Sequence, residues 1–171
     1  MNQQVDQSKE PTDVLYRVKR GLAGYVSYLA ACQMNEAFSE YVLYEPILRI
    51  LMARGYVVEC EYECPGIRQP KKGDKKKIDF YAKGHGLVLA IEVKWARSSK
   101  PGISKDIAKL KAVKRVQPDT FALLCIFGRK SHITAFAPKV LGFKERGEGR
   151  IADLGKTKFG CRFFEFGTIK K

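Results

Sequence analysis

Lys77-Ile78-Asp79-Phe80-Tyr81-Ala82-Lys83-Gly84-His85-Gly86-Leu87-Val88-Leu89-Ala90-Ile91-Glu92-Val93-Lys94 alternates apolar with polar or small residues on both sides of a glycine-rich break. Side chains alternate faces along a strand, so the pattern predicts strand, turn, strand: 77–82, a turn through Lys83-Gly84-His85-Gly86, then 87–94. A tight turn after Ala82 places Ile78 opposite Ile91 and Phe80 opposite Leu89. One face then holds only Ile78, Phe80, Leu89, Ile91 and Val93, and a slip of one residue would mix them with charges, so burial selects the register. The other face carries Asp79, Ala90, Glu92 and Lys94. In this register Asp79 lies opposite Ala90 and diagonal to Glu92, roughly 7–8 Å between backbones, near enough for two carboxylates to converge.

Converging carboxylates repel unless a proton or cation compensates them. Hard oxygen ligands with open water positions suit Mg²⁺ or Mn²⁺. Lys94 adds a cation on the same face, where it can stabilise charge developing on a phosphoryl group or lower the pKa of a nearby water. The competing reading is a solvated strand face with a cross-strand charge pair, which a lone Ile-Glu-Val-Lys does not exclude.

Working outward, Tyr56 to Cys64 alternates as a further strand with one polar face, and 65–77 reads as an exposed loop holding Lys71, Lys72, Lys75, Lys76 and Lys77. From Thr12, read as an N-cap, Val14, Leu15, Val18, Leu22, Val26 and Leu29 recur at helical spacing through about Cys32. A second helical stretch spans about 35–54 with Gly55 as a stop. Pro46 within it marks either a kink or the start of a separate helix, which sets Glu45 at a special place. Ile103, Ile107, Leu110 and Val113 predict a third helix ending before Pro118. Thr120–Phe127 suits a buried strand, Ile133–Ala137 reads as another, and Cys161–Phe166 as the last. Residues 1–10 read as a frayed terminus.

The order helix, strand, strand, strand, helix, strand over 36–127 with Asp79 and Glu92-Val93-Lys94 resembles the PD-(D/E)XK nuclease superfamily. Its fold is the restriction-endonuclease-like one, and its signature is an aspartate on one strand and Glu-x-Lys on the next. Ile78 stands where the signature usually has proline, and Glu45-Pro46-Ile47-Leu48 and Gly55-Tyr56 precede the motif. The resemblance implies that Asp79 and Glu92 bind the metal, with the Val93 carbonyl as a further ligand, and that Lys94 positions or activates water. It also implies an acidic residue from the first core helix near the metal. Glu45 matches best on spacing, with Glu36 and Glu40 as fallbacks, while a carboxylate complementing a helix N-terminus explains Glu45 equally well. The helix at 12–32 and the basic extension at 128–171 lie outside the resemblance.

Composition bounds the rest. The chain has 171 residues, 45% hydrophobic and 11% aromatic, which suits one folded α/β domain with a mixed central sheet flanked by helices. Its net charge is +14, and the charge is uneven: 6 basic and 9 acidic residues in 1–63, against 26 and 9 in 64–171. The second part therefore predicts a polyanionic partner, nucleic acid above an anionic membrane surface, with the 71–77 lysines gripping the backbone. No signal peptide or bilayer-spanning run is visible, so a cytoplasmic location is expected. Five widely spaced cysteines without a Cys-x-x-Cys pair predict neither a zinc site nor a disulfide framework, only small buried or half-buried side chains.

The leading expectation is a divalent-metal-dependent endonuclease hydrolysing DNA phosphodiester bonds, with a homodimer if duplex is cut. Alternatives are an RNA nuclease, a non-cleaving binding module of the same fold, and a membrane-surface protein using Lys105–Arg115. Weaker candidates are His85 at the hairpin tip, His132 beside Arg129 and Lys130, Trp95 as a base-stacking platform, and Asp106 with Lys109. The last two either reach the site from one helix face or form an exposed surface pair.

Overall fold

The computed structural model describes residues 10–34, 40–138 and 142–167. Helix α1 (Thr12–Ala31) is followed by a 3₁₀ turn (Glu40–Leu43), α2 (Tyr44–Ala53), β1 (Val57–Glu63), β2 (Lys77–Gly84) and β3 (Leu87–Ala96). Then come α3 (Ser104–Val116), β4 (Phe121–Arg129), α4 (Lys130–Ala135), β5 (Phe143–Glu145), β6 (Arg150–Ala152) and β7 (Phe159–Phe166). The strands form one mixed sheet in the order β1-β2-β3-β4-β7-β5, with β6 also on β7. Only β3 and β4 run parallel, and α3 supplies the crossover that a parallel pair needs.

Helices cover both faces. On one, Val14, Leu15, Val18 and Leu22 of α1 and Ile47 and Leu51 of α2 pack on Phe80, Leu89, Ile91, Val93, Cys125 and Phe163. Gly21 is a point of close approach between the two helices: a Cβ there would lie 2.5 Å from Ile50 Cδ1, so the residue that weakens α1 as a helix lets α2 approach it. Thr12 is the first residue of α1 rather than its N-cap; Pro11 takes that position, with no side-chain cap. On the other face, α3 and α4 pack on Ala96, Ala122, Leu124, Ile126 and Phe164 through Leu110, Ile133 and Phe136.

Pro46 settles as the third residue of α2, inside the first turn where its missing N–H has no partner to lose. The helix begins at Tyr44, so Glu45 and Pro46 mark a start and not a kink. Residues 35–39, and the side chain of Glu40, lie outside the described residues, and with them the helix expected over 35–39 and both fallback glutamates. Gly55, at φ +79°, ends the helix as expected and turns the chain into β1.

Three expectations need correction. The hairpin register is displaced by two residues: Phe80 pairs with Ile91, Ala82 with Leu89 and Gly84 with Leu87. The turn proper is His85-Gly86, with φ of 53° and 71°, the positive pair that a two-residue hairpin turn needs. Gly84 belongs to β2, where a Cβ would lie 2.8 Å from the Gly55 carbonyl oxygen. An even displacement keeps Phe80, Leu89, Ile91 and Val93 on one face, but Ile78 packs instead with Tyr81, Ala90, Ala112 and Val113 beneath α3. Residues 130–135 are helix α4 and not a strand, because the buried Ile133 and Phe136 are three apart, a helical and not an alternating spacing. Arg162 Nη1 donates to the carbonyls of Ile133 and Phe136 at 2.6 Å each, satisfying acceptors that the short helix leaves open. Finally, Cys32 and Cys60 are exposed, whereas Cys64, Cys125 and Cys161 are buried. Among the described residues, no helix is long and apolar enough to cross a membrane.

Candidate active site

Asp79 interrupts the sheet. Along β1 and β2 the register runs from Cys60↔Phe80 to Tyr62↔Ile78 without a Glu61↔Asp79 pair, and the β2–β3 register begins only at Phe80↔Ile91. Glu61 takes φ +53° at that gap. In place of a backbone partner, Asp79 Oδ2 accepts the Val93 N–H at 2.6 Å. The carboxylate thus sits between the two strands, and this local break moves Ile78 out of step with Phe80.

Glu92, two-thirds of the way along β3, is 1% exposed. Its Oε2 accepts from Lys109 Nζ at 2.5 Å, and its Oε1 is buried with no hydrogen-bond partner. Lys109 stands on α3 and also donates to the Lys77 carbonyl at 2.8 Å. One turn earlier, Asp106 lies 4.0 Å from Lys109 and 3.9 Å from Lys94 Nζ. Asp79, Glu92, Lys109, Asp106 and Lys94 therefore form one network between β2, β3 and α3. Asp106 and Lys109 are not a surface pair: their i, i+3 spacing points both at the sheet.

Burial dominates the electrostatics. It raises the pKa of Glu92, with the Asp79 charge adding to it and Lys109 opposing, to about 9. Burial likewise raises Asp79, against the Val93 N–H and the Tyr44 hydroxyl, both of which favour its ionised form. Desolvation works against the Lys109 ammonium, but Glu92 and Asp79 outweigh it and the pKa stands above the ordinary value. Tyr44, the first residue of α2, reaches Asp79 and hydrogen-bonds Glu61 Oε1 at 3.3 Å; burial and the Asp79 charge push its own pKa up.

The network opens into a cleft of about 460 Å³ whose lining includes Asp79, Asp106, Lys109 and the exposed Lys75, Lys76 and Lys105. Lys77 also lines it and lies 3.7 Å from Glu61. Gln69 fixes this rim by accepting from the Lys76 N–H at 2.8 Å and donating to the Lys76 carbonyl at 2.9 Å. Lys75 forms an ion pair with Glu63. Lys71 and Lys72 are exposed on the same loop but do not line the cleft.

The structure brings Asp79, Glu92, Lys94 and the Val93 backbone together, with Lys75, Lys76 and Lys77 beside them. It does not bring Glu45 in: that carboxylate is on the surface, ion-paired with Arg49 one turn on. Sequence reasoning missed Tyr44 and Glu61. Tyr44 had a signal in its place directly before Glu45-Pro46, at a helix start, whereas the backbone break that matters at Glu61 leaves no mark on an alternating strand. His85 serves packing, with Nε2 2.7 Å from the Arg54 carbonyl and its ring edge-on to Tyr56. Trp95 is stacked on Phe127, and the Arg97 guanidinium lies 4.9 Å from its ring centre.

Among the described residues, no three or more His, Cys, Asp or Glu side chains gather as a metal centre. Two carboxylates with a buried, unpartnered Oε1 nevertheless fit a Mg²⁺-type ion, which keeps several waters and takes one or two carboxylates. They do not fit zinc, which wants nitrogen or sulfur donors. Comparison with family models, with curated proteins and with solved structures returns no match to this chain.

Proposed function

We propose that the chain is a divalent-metal-dependent nuclease of the PD-(D/E)XK type, with a restriction-endonuclease-like core, acting on DNA phosphodiester bonds. The observation that carries this is the unpartnered Glu92 Oε1, buried behind Asp79 and Lys109, which themselves line the lysine-rich cleft. A buried polar atom without a partner costs about 1–3 kcal/mol, so a site that retains one is built for something that binds there. Asp79, Glu92 and the Val93 carbonyl would hold Mg²⁺ or Mn²⁺, which when bound supplies Lewis-acid polarisation of the phosphate and acidifies water.

The chain's own groups do the remainder. The Val93 N–H fixes the Asp79 carboxylate, and Lys109 holds Glu92 in place. Lys94, half-buried and 3.9 Å from Asp106, supplies positive charge where the phosphoryl group becomes more anionic. Lys75, Lys76 and Lys77 contact the backbone of the substrate, with Lys71 and Lys72 farther out on the same loop. A homodimer would supply the two sites that double-strand cleavage needs.

The test is incubation of the purified protein with labelled linear, nicked, branched and single-stranded DNA and with RNA, in Mg²⁺, Mn²⁺ or EDTA. Chelator-sensitive cleavage is expected, and its absence on every substrate overturns the proposal. A second reading, a binding module that does not cut, is favoured by the Lys109 ammonium, which already occupies Glu92 Oε2 without any metal. Nucleic-acid binding with no cleavage in any metal would establish it.

A further inference from the structure

A second cavity, of about 570 Å³, is lined by Trp95, Arg97, Arg129, His132, Thr157 and Phe159, and the carboxylate network does not use it. It lies beyond the carboxyl ends of β3 and β4, the parallel pair, which is where open α/β sheets leave a crevice for ligands. Its wall is tied down: the Lys130 N–H donates to the Lys158 carbonyl at 2.8 Å, fixing the segment between Thr157 and Phe159. A Cβ on Gly128 would lie 2.7 Å from the Ala96 carbonyl oxygen, the same oxygen that His132 Nδ1 meets at 3.0 Å.

The chemistry of this lining is one-sided. Among the described residues no carboxylate lines it, whereas the cleft at Asp79 holds several. Arg17, Arg49, Arg54, Arg146 and Arg162 each have a carboxylate partner; among the described residues, Arg97 and Arg129 form no ion pair. The Arg97 guanidinium rests on the Trp95 ring, which orders it without consuming its hydrogen-bond donors. His132 faces a carbonyl with Nδ1, so that nitrogen donates and the ring is held at the cavity wall. Two guanidiniums without an ion-pair partner and a threonine hydroxyl around one open space make a phosphate receptor.

Position links it to the other site. Arg97 follows Lys94 by three residues, at most roughly 10 Å of backbone, and the chain turns at Ala96, where the Arg97 N–H donates to the Trp95 carbonyl at 3.1 Å; this is the scale of a few nucleotide steps. We infer that the Arg97–Arg129–His132 cavity is a phosphate subsite that holds an internal backbone phosphate of the same nucleic-acid strand that passes Glu92 and Lys94. This rests on the nuclease reading and adds to it a direction for the strand, along β3 and out past the ends of β3 and β4.

The test is equilibrium binding of a short labelled single-stranded DNA in EDTA, from low to moderate salt. Arg97→Gln combined with Arg129→Gln should weaken binding about tenfold and flatten the salt dependence by about 0.7 per arginine. Arg97→Lys with Arg129→Lys should restore the salt slope but only part of the affinity, because a point charge replaces a fork. A matched loss of charge elsewhere, Arg20→Gln with Lys83→Gln, should change affinity less than about twofold, and thermal unfolding should report an intact fold for all three. A 5′-phosphate on the oligonucleotide should matter less than about twofold; a strong preference for it assigns the cavity to strand ends and overturns the internal placement.

A salt slope for the Arg97/Arg129 glutamine variant equal to that of the matched control overturns the subsite, as does a wild-type protein that binds no oligonucleotide. If the wild type cleaves in Mg²⁺ while this variant binds normally, only the subsite is lost. Arginine-dependent binding by a protein that never cleaves overturns the nuclease reading and leaves the phosphate site standing.

Discussion

The two ends of the β2–β3 hairpin are built on opposite terms. From Phe80↔Ile91 to Gly84↔Leu87 backbone pairs with backbone, and the strands close in a two-residue turn. At the open end the Val93 N–H finds the Asp79 carboxylate instead. Both arrangements satisfy a buried donor, as they must. The first is electrically neutral, whereas the second brings the Asp79 carboxylate into the plane of the sheet beside Glu92, where the Val93 N–H, the Tyr44 hydroxyl and Lys109 favour its charge and burial opposes it. Local regularity thus serves the fold at one end and is given up for chemistry at the other.

Asp79→Asn or Glu92→Gln breaks the contrast most directly. Each should lower metal-dependent cleavage by about a thousandfold while thermal unfolding shows the fold retained, and undiminished cutting by either variant would remove the open end from the chemistry. Next comes pH. Glu92 has a folded pKa of about 9 against an ordinary 4.5, so the folded state holds a proton that the unfolded state releases between those values. The sign follows: its contribution to stability is complete below 4.5 and is lost as pH rises toward 9, on the order of a few kcal/mol. Urea unfolding of the metal-free protein across that window should show the decline, and Glu92→Gln should flatten it. An unchanged slope would mean that Lys109 keeps Glu92 ionised throughout.

The lysines sharpen the comparison further. Lys109→Met leaves a buried carboxyl without its donor and should cost about 2 kcal/mol of stability, whereas Lys94→Met should cost under about 1 kcal/mol. On cleavage rate the order should reverse, with Lys94 the more damaging loss; urea midpoints and single-turnover rates on the same two proteins check both. Smallest of all is the closed end. Gly86→Val forces a branched side chain into φ +71° and should cost about 1–2 kcal/mol in urea unfolding, with unchanged cleavage per folded molecule.

Periodicity made most of the scaffold legible. The apolar stripe of α1, the strand-turn-strand of 77–94 and the third helix followed by a buried strand all appear where their spacing predicts. The register was not legible, because a displacement of two residues preserves the alternation and leaves the pattern satisfied. Ile78 was misplaced for a different reason: alternation assumes an unbroken strand, and Asp79 breaks it. Residues 130–137 lost to ambiguity, since a short apolar stretch fits a strand or a helical turn until Leu124 and Phe164 determine which side chains go inside. That Asp79, Glu92 and Lys94 lie near one another was readable from the hairpin, but the one-face placement was not right: Tyr81 and not Asp79 faces Ala90, and Asp79 sits between the strands. Tyr44, Glu61 and the inward aim of Asp106 and Lys109 depend on which elements pack together, and no local pattern carries that.

The crossover through α3 also sets an order in time. A hairpin closed by two residues forms within about microseconds, but β4 can join β3 only after the chain has traversed a whole helix. Before α3 docks, Glu92 faces water and Lys109 is absent, so both carboxylates behave as ordinary solvated acids. Docking removes the water and delivers the ammonium in a single event. Assembly of the site therefore requires this layer to close, and lifting α3 away would take Lys109 and Asp106 from Glu92 and Lys94 while leaving the β2–β3 backbone pairs in place.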